Sequence, residues 1–296
     1  MITKKIKGEL IEFYTKDNLQ LHGFLTSKNH KNVIIYLHGM GGNFYRNMSL
    51  KMSNIFINNG FDIFSINTRG HDEIAKFIIK KGKKLDRAYY GTSLEKFEDS
   101  KHDIRVAIDL LIYLGYKNVI LVGHSTGCQK AVYYLNKYND KRIKALVLLG
   151  PGDDYNIHKK DLKNEFKKLQ KEAKNLIREK KGSNILFGLY KKTGVIWSAQ
   201  RFDSIANSNR VESRIFNYNE KLKEFRRIKA PILVIWGDKD EYAVLDVRKY
   251  IKISRENTSS KKFNAIIIKN ANHSFTNHEI ETANKIVSWL RGLRWQ

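Results

Sequence analysis

Between Val119 and Leu135 the chain reads VILVGHSTGCQKAVYYL. A β-branched run, Val119 to Val122, stops at Gly123, and a helical pattern is running by Gln129. Only a sharp strand-to-helix turn fits into so few residues, and Ser125 sits on it. Such a turn forces its central residue into strained backbone angles and brings neighbouring segments together, so the flanking residues must be small. Gly123 and Gly127 meet that need, and the turn pushes the serine hydroxyl outward, the G-x-S-x-G geometry that presents a nucleophile at a strand end. The five-residue pattern alone recurs by chance. The strand before it and the helix after it give it weight.

The same alternation extends along the chain. Strand-like runs recur at Glu9–Tyr14, Leu21–Leu25, Val33–Leu37, Phe61–Ile66, Val119–Val122, Ala145–Leu149, Ile232–Trp236 and Asn264–Ile268, with amphipathic helical stretches such as Asn47–Asn59, Phe97–Leu114 and Glu279–Leu290 between them. Strands alternating with helices imply an α/β fold with a mainly parallel central sheet flanked by helices. The first two strands, with Asn18 in the turn between them, read as an antiparallel hairpin at one edge. Between Pro151 and Lys229 the alternation breaks. Residues 159–181 hold ten basic and four acidic residues, and Leu162, Phe166, Leu169, Ala173 and Ile177 recur at helical spacing. The expectation is a core of residues 1–150 and 229–296 with an inserted helical cap at 151–228. Insertions of this kind leave from the carboxyl ends of strands, where ligands bind, so the cap is expected to roof the pocket.

At 296 residues with 42% hydrophobic content, the chain can bury a substantial core. Its longest apolar runs are strand-sized and no basic patch leads into a long apolar segment, so the expected location is the cytoplasm. The single cysteine, Cys128, excludes an internal disulfide and a cysteine-based metal cluster, and is expected to pack at the start of the helix that follows Ser125. A net charge of +25 is the unusual feature. A surface that positive attracts nucleic acid, anionic membrane or acidic substrates. Against a dedicated partner, lysine is spread along the whole chain with asparagine and isoleucine, and neither zinc-finger spacing nor an aromatic RNA-binding signature accompanies it. The lysine-rich face of the cap reads first as solvated surface, and second as an entrance for an anionic substrate.

A serine hydroxyl is a poor nucleophile at neutral pH. It needs a base to take its proton, and the base needs an acid to fix its tautomer. Both partners follow at later strand ends, in the order Ser, Asp, His. The strand Ile232–Trp236 runs into Gly237-Asp-Lys-Asp-Glu241, and Asn264–Ile268 runs into Lys269-Asn-Ala-Asn-His-Ser-Phe275. Asp240 is the favoured acid, with Asp238 and Glu241 as alternates. His273 is the candidate base, since His278 stands at the start of the last helix. Stabilising the oxyanion of acyl transfer calls for backbone donors. One is the N–H of Thr126. The other is the N–H of Met40, in the glycine-rich loop His38-Gly-Met-Gly-Gly-Asn43, which lacks the phosphate-cradling patterns. Gly39, Trp197 and Phe202 are candidate substrate-pocket residues, although large aromatics also serve as core. Arg69 and His71 read as structural braces of neighbouring loops, and His124 as packing beneath the elbow. The nine histidines show no H-E-x-x-H or other metal spacing, so neither metal nor cofactor is expected.

With LHGMGGN, INTRGHD, GHSTG, PILVIWGDKDEY and NANHSF in these positions, the chain resembles serine hydrolases of the α/β-hydrolase superfamily over nearly everything outside the cap. His38-Gly39-Met40 and ANHSF resemble bacterial cinnamoyl/feruloyl esterase-type enzymes. GHSTGCQ resembles fungal siderophore-ester hydrolases and their plant relatives. The resemblance implies the α/β-hydrolase fold and hydrolysis of a small-molecule carboxylic ester through an acyl-enzyme on Ser125, with Asp240 and His273 as its partners. A thioesterase, acyltransferase or amidase would use the same three residues. A binding protein built on this scaffold is the reading from another class.

Overall fold

The computed structural model describes residues 5–46 and 48–293. Eight strands form one twisted sheet: β1 (Glu9–Tyr14), β2 (Gln20–Thr26), β3 (Asn32–Leu37), β4 (Phe61–Ile66), and, after a separate hairpin of β5 (Ala75–Lys81) and β6 (Lys84–Tyr90), β7 (Asn118–His124), β8 (Ile143–Leu149), β9 (Ile232–Gly237) and β10 (Phe263–Ile268). Their order is β1-β2-β4-β3-β7-β8-β9-β10. The first two strands pair antiparallel with each other and β2 pairs antiparallel with β4, while every pairing from β4 to β10 is parallel. This is the α/β-hydrolase fold.

Side chains alternate between the faces of a strand, so a central strand covered on both sides must be apolar at every position. Val33–Leu37 of β3 and Val119–Val122 of β7 meet that demand. Val33, Ile35, Val119 and Leu121 enter one core cluster, with residues of α2 (Ser100–Tyr113), α3 (Thr126–Tyr138) and α10 (Val247–Asn257). Ile34, Tyr36, Ile120 and Val122 enter the other, with residues of α1 (Ser49–Ile57) and α11 (Glu279–Gly292). The expected first helix began at Asn47, which lies outside the described residues.

Six helices occupy the stretch between β8 and β9: α4 (Asp154–Leu162), α5 (Glu165–Arg178), α6 (Phe187–Thr193), α7 (Ala199–Ala206), α8 (Val211–Ile215) and α9 (Lys223–Arg226). The apolar stripe of α5 is buried through Phe166, Leu169 and Ala173, which pack with Leu162, Trp197 and Phe202 in a cluster of their own. Ile215, Phe216, Tyr218, Leu222 and Phe225 pack instead with the main core beside α3. The end of this segment is therefore anchored to the sheet side of the molecule. Among the described residues no helix is long and apolar enough to cross a membrane.

Candidate active site

The elbow is as tight as its residues imply. Ser125 has φ 53° and ψ −126°, a positive φ that costs a non-glycine residue strain unless its surroundings enforce it. They do: Ser125 N–H donates to the Leu149 carbonyl at the end of β8 (2.9 Å), and its own carbonyl accepts from Cys128 N–H (2.8 Å). A Cβ on Gly127 would lie 2.3 Å from the Leu37 carbonyl oxygen, and one on Gly123 would lie 2.5 Å from that of Gly127. Backbone thus packs on backbone on both sides of the serine. Cys128 is buried beneath the turn, its Sγ 3.1 Å from the Gly123 carbonyl.

The loops after β9 and β10 meet just as closely, since a Cβ on Gly237 would lie 2.2 Å from the Ala271 carbonyl oxygen. That contact brings His273 onto the acidic turn. Its Nδ1–H donates to Oδ2 of the buried Asp240 at 2.8 Å, which leaves Nε2 as the acceptor. The two alternates hold the same loop by its backbone: Glu241 Oε2 accepts from His273 N–H (2.9 Å) and Asp238 Oδ1 from Asn270 N–H (2.6 Å). A fourth hold comes from His124, whose Nε2–H donates to the His273 carbonyl (2.9 Å). Burial, and then the neighbouring His273, lower the His124 pKa to about 4, so that ring is neutral. His124 therefore braces the histidine loop, a task its position beside Ser125 did not disclose.

Ser125 and His273 both line one cavity of about 690 Å³, together with Gly39, Met40, Thr126 and Trp197. Among the described residues no hydrogen bond joins Ser125 Oγ to the His273 ring. Gly39 presses against the elbow: a Cβ there would lie 2.9 Å from Ser125 Cβ and 3.5 Å from its Oγ. The backbone N–H groups of Met40 and Thr126 have no acceptor among the described residues. Trp197 reaches the cavity, but Phe202 does not. Phe202 is fully buried against Phe166 in the interior of the cap cluster, so its expected place in the substrate pocket is corrected to core packing.

The helical segment between β8 and β9 contributes three polar side chains to the cavity wall that were not anticipated, Asp154, His158 and Asp161. Burial, with the nearby charge of Glu212, raises the Asp154 pKa to about 8 against the opposing pull of Arg201. Burial, and then Arg201, lower that of His158 to about 4. Asp154 and His158 are therefore mainly uncharged near neutral pH. Two cations at the rim are paired, Arg46 with Asp72 and Lys51 with Glu279, each at 2.5 Å. The positive surface of the chain does not continue into the cavity. Arg69 braces its neighbours through the carboxylates of Asp103 and Asp17. Among the described residues no group of three His, Cys, Asp or Glu is placed to hold a metal ion.

A family described as "Protein of unknown function (DUF1749)" matches residues 82–291. The "Putative esterase/lipase 2" of Mycoplasma genitalium is 30% identical over 141 residues, 47% of this chain and 46% of that protein. This chain therefore aligns with about half the length of that relative. The siderophore hydrolase EstB from Aspergillus fumigatus superposes with a TM-score of 0.72 at 15% identity, covering 99% of both chains. Est1E from Butyrivibrio proteoclasticus, solved with ferulic acid bound, superposes with a TM-score of 0.64 at 15% identity over 95% of this chain and 98% of that one.

Proposed function

The chain belongs to the DUF1749 family and to the α/β-hydrolase superfamily, and from that premise we propose that it is a serine hydrolase of small to medium carboxylic esters. Ser125 Oγ attacks the ester carbonyl while its proton passes to His273 Nε2, and Asp240 holds the imidazole in the required tautomer and stabilises its charge. The oxyanion is met by the N–H groups of Met40 and Thr126, each such donor being worth about 3–4 kcal/mol of barrier. His273 returns the proton to the departing alcohol oxygen. Water, deprotonated by the same ring, then cleaves the acyl-enzyme and restores Ser125.

The observation that carries this reading is the 2.8 Å contact between His273 and the buried Asp240, on a cavity wall shared with a serine held at positive φ. Catalytic hydrogen bonds are often long before substrate binds, so the Ser125 to His273 bond is expected to close around the ester. A cavity of about 690 Å³ is the size of a small-molecule site. On the wall from α4 the cavity meets Asp154, His158 and Asp161 and no lysine or arginine, which favours neutral esters over anionic ones. The names of the relatives, an esterase/lipase and a siderophore hydrolase, agree with an ester bond as the target.

A fluorophosphonate probe tests the reading. Wild-type protein is expected to be labelled at Ser125 and Ser125→Ala to remain unlabelled. Failure of the folded wild type to react would favour a binding protein instead. On a panel of aryl esters, acyl thioesters and aminoacyl amides, ester turnover should lead, and comparable amide rates would overturn the ester assignment.

A further inference from the structure

Lys130, on α3, and Glu95, in the loop between β6 and α2, form an ion pair of 2.8 Å that is almost wholly out of solvent. Burying two charges costs several kcal/mol per ion unless the geometry returns it, and hydrophobic residues would stabilise such a site as well or better. The pair has a second attachment. Lys130 Nζ also donates to Thr68 Oγ1 at 3.1 Å, and Thr68 Oγ1 lies 3.1 Å from His38 Nε2. Thr68 N–H donates to the same nitrogen at 3.1 Å. His38 Nε2 is therefore the acceptor, and Nδ1 carries the proton, donated to the Gly39 carbonyl at 2.8 Å. That carbonyl is also fixed by Gly42 N–H at 3.0 Å.

The consequence lies across one peptide bond. In a trans peptide the C=O of one residue and the N–H of the next point in opposite directions. Holding the Gly39 carbonyl on His38 therefore turns Met40 N–H the other way, on the loop that abuts Ser125. Resting on the ester-hydrolase reading, we propose that the Lys130–Glu95 pair, acting through Thr68 and His38, is a positioning device that aims the Met40 N–H at the oxyanion. Every donor in the relay points toward the Gly39 carbonyl, so each bond polarises the next. Gly70 leaves the room this requires, since a Cβ there would lie 2.1 Å from Glu95 Oε2. Arg201, fully buried on α7, stands 4.0 Å from Glu95 and ties the device to the cap. Burial and the charge of Lys130 lower the His38 pKa to about 3, so the ring stays neutral. Burial alone would raise the Glu95 pKa, but the charges of Lys130 and Arg201 more than offset it and keep the carboxyl ionised.

The test compares Thr68→Val, Thr68→Ser and the paired change Lys130→Met with Glu95→Leu, which leaves neither ion buried alone. Folding is checked by circular dichroism and thermal melting. Each substrate is assayed as an ester and as its thionoester, whose sulfur is a poor hydrogen-bond acceptor and gains little from an oxyanion donor. With a mis-aimed donor, the paired variant should lose about tenfold or more in kcat with KM within about twofold, and the ester-to-thionoester rate ratio should fall in parallel. Thr68→Val should lose less, Thr68→Ser should restore activity, and Thr68→Val added to the paired variant should cost little more. An unchanged ratio in folded Thr68→Val or in the folded paired variant, or strictly additive losses, would overturn the proposal. If wild type turns over no ester and takes no fluorophosphonate, the ester reading is what fails. The crystal structure of the paired variant then decides the positioning question: a Gly39 carbonyl turned off His38 supports it, and one still seated there refutes it.

Discussion

Asp154 offers a test that needs no substrate. The group is buried at the cap side of the cavity, and its folded pKa of about 8 stands well above the usual 3.8. A carboxyl with a raised folded pKa binds its proton more tightly in the folded state, so folding is favoured at low pH and loses stability as pH rises from about 4 through 8. Between pH 5 and pH 8 the gap between the two pKa values corresponds to a loss of about 4 kcal/mol from this one residue. The Asp154→Asn variant has no proton to lose at this position, and its amide oxygen can still accept from Gln129 Nε2, which in the wild type donates to Asp154 Oδ2 at 2.9 Å. That variant is therefore expected to gain on wild type steadily as pH rises. Urea unfolding of both proteins at several pH values across this range checks it, since any constant effect of the amide cancels in the pH dependence. A stability difference that does not change with pH would refute the assignment of a protonated carboxyl at this position.

Asp240→Asn should leave the fold intact and lower kcat by about 10⁴, because an amide favours the wrong tautomer of His273; steady-state kinetics on an aryl ester would show it. Gly127→Ala would place a methyl group 2.3 Å from the Leu37 carbonyl oxygen and 2.9 Å from that of His38. With rigid backbone on that side, it should cost about 2 kcal/mol or more of stability in urea melts. The two cap aromatics should separate: Trp197→Ala should raise KM for bulky aryl esters, whereas Phe202→Ala should lose about 3–5 kcal/mol of stability with little change in KM of the folded enzyme. Glu241→Ala frees the His273 backbone and should lower kcat severalfold, while Glu241→Gln, which keeps the acceptor, should not.

All eight strands of the main sheet are legible in the residues: the central ones because a strand covered on both faces has to be an apolar, largely β-branched run, and the exposed edge strand β1 because Asn18 marks the turn of its hairpin with β2. The β5–β6 hairpin is not, since AKFIIKK and KLDRAYY lie mostly exposed, with Phe77 alone deeply buried, and so carry no strong apolar period. The local trace it does leave is Gly82 at φ 61° between two lysine pairs, a tight turn in a setting that otherwise reads as solvated charge. The candidate site divides in the same way. Ser125 and His273 stand out because each follows a recognisable strand end, whereas three carboxylates share the turn after β9 and their residue types cannot rank them. Space separates them: Asp240 meets the ring, while Asp238 and Glu241 meet backbone N–H groups of the same loop. Lys130, Glu95, Arg201 and Asp154 were invisible for a different reason. A lysine among 55 cations reads as surface, and its burial depends on a partner 35 residues away that no periodicity connects to it. Chemistry borne by strand ends is written locally, but charge that is buried to aim a backbone donor depends on contacts between distant segments. The same contrast bears on the basic composition: the cations that line the cavity, Arg46 and Lys51, are matched by carboxylates, so they do not give the candidate site a positive polarity.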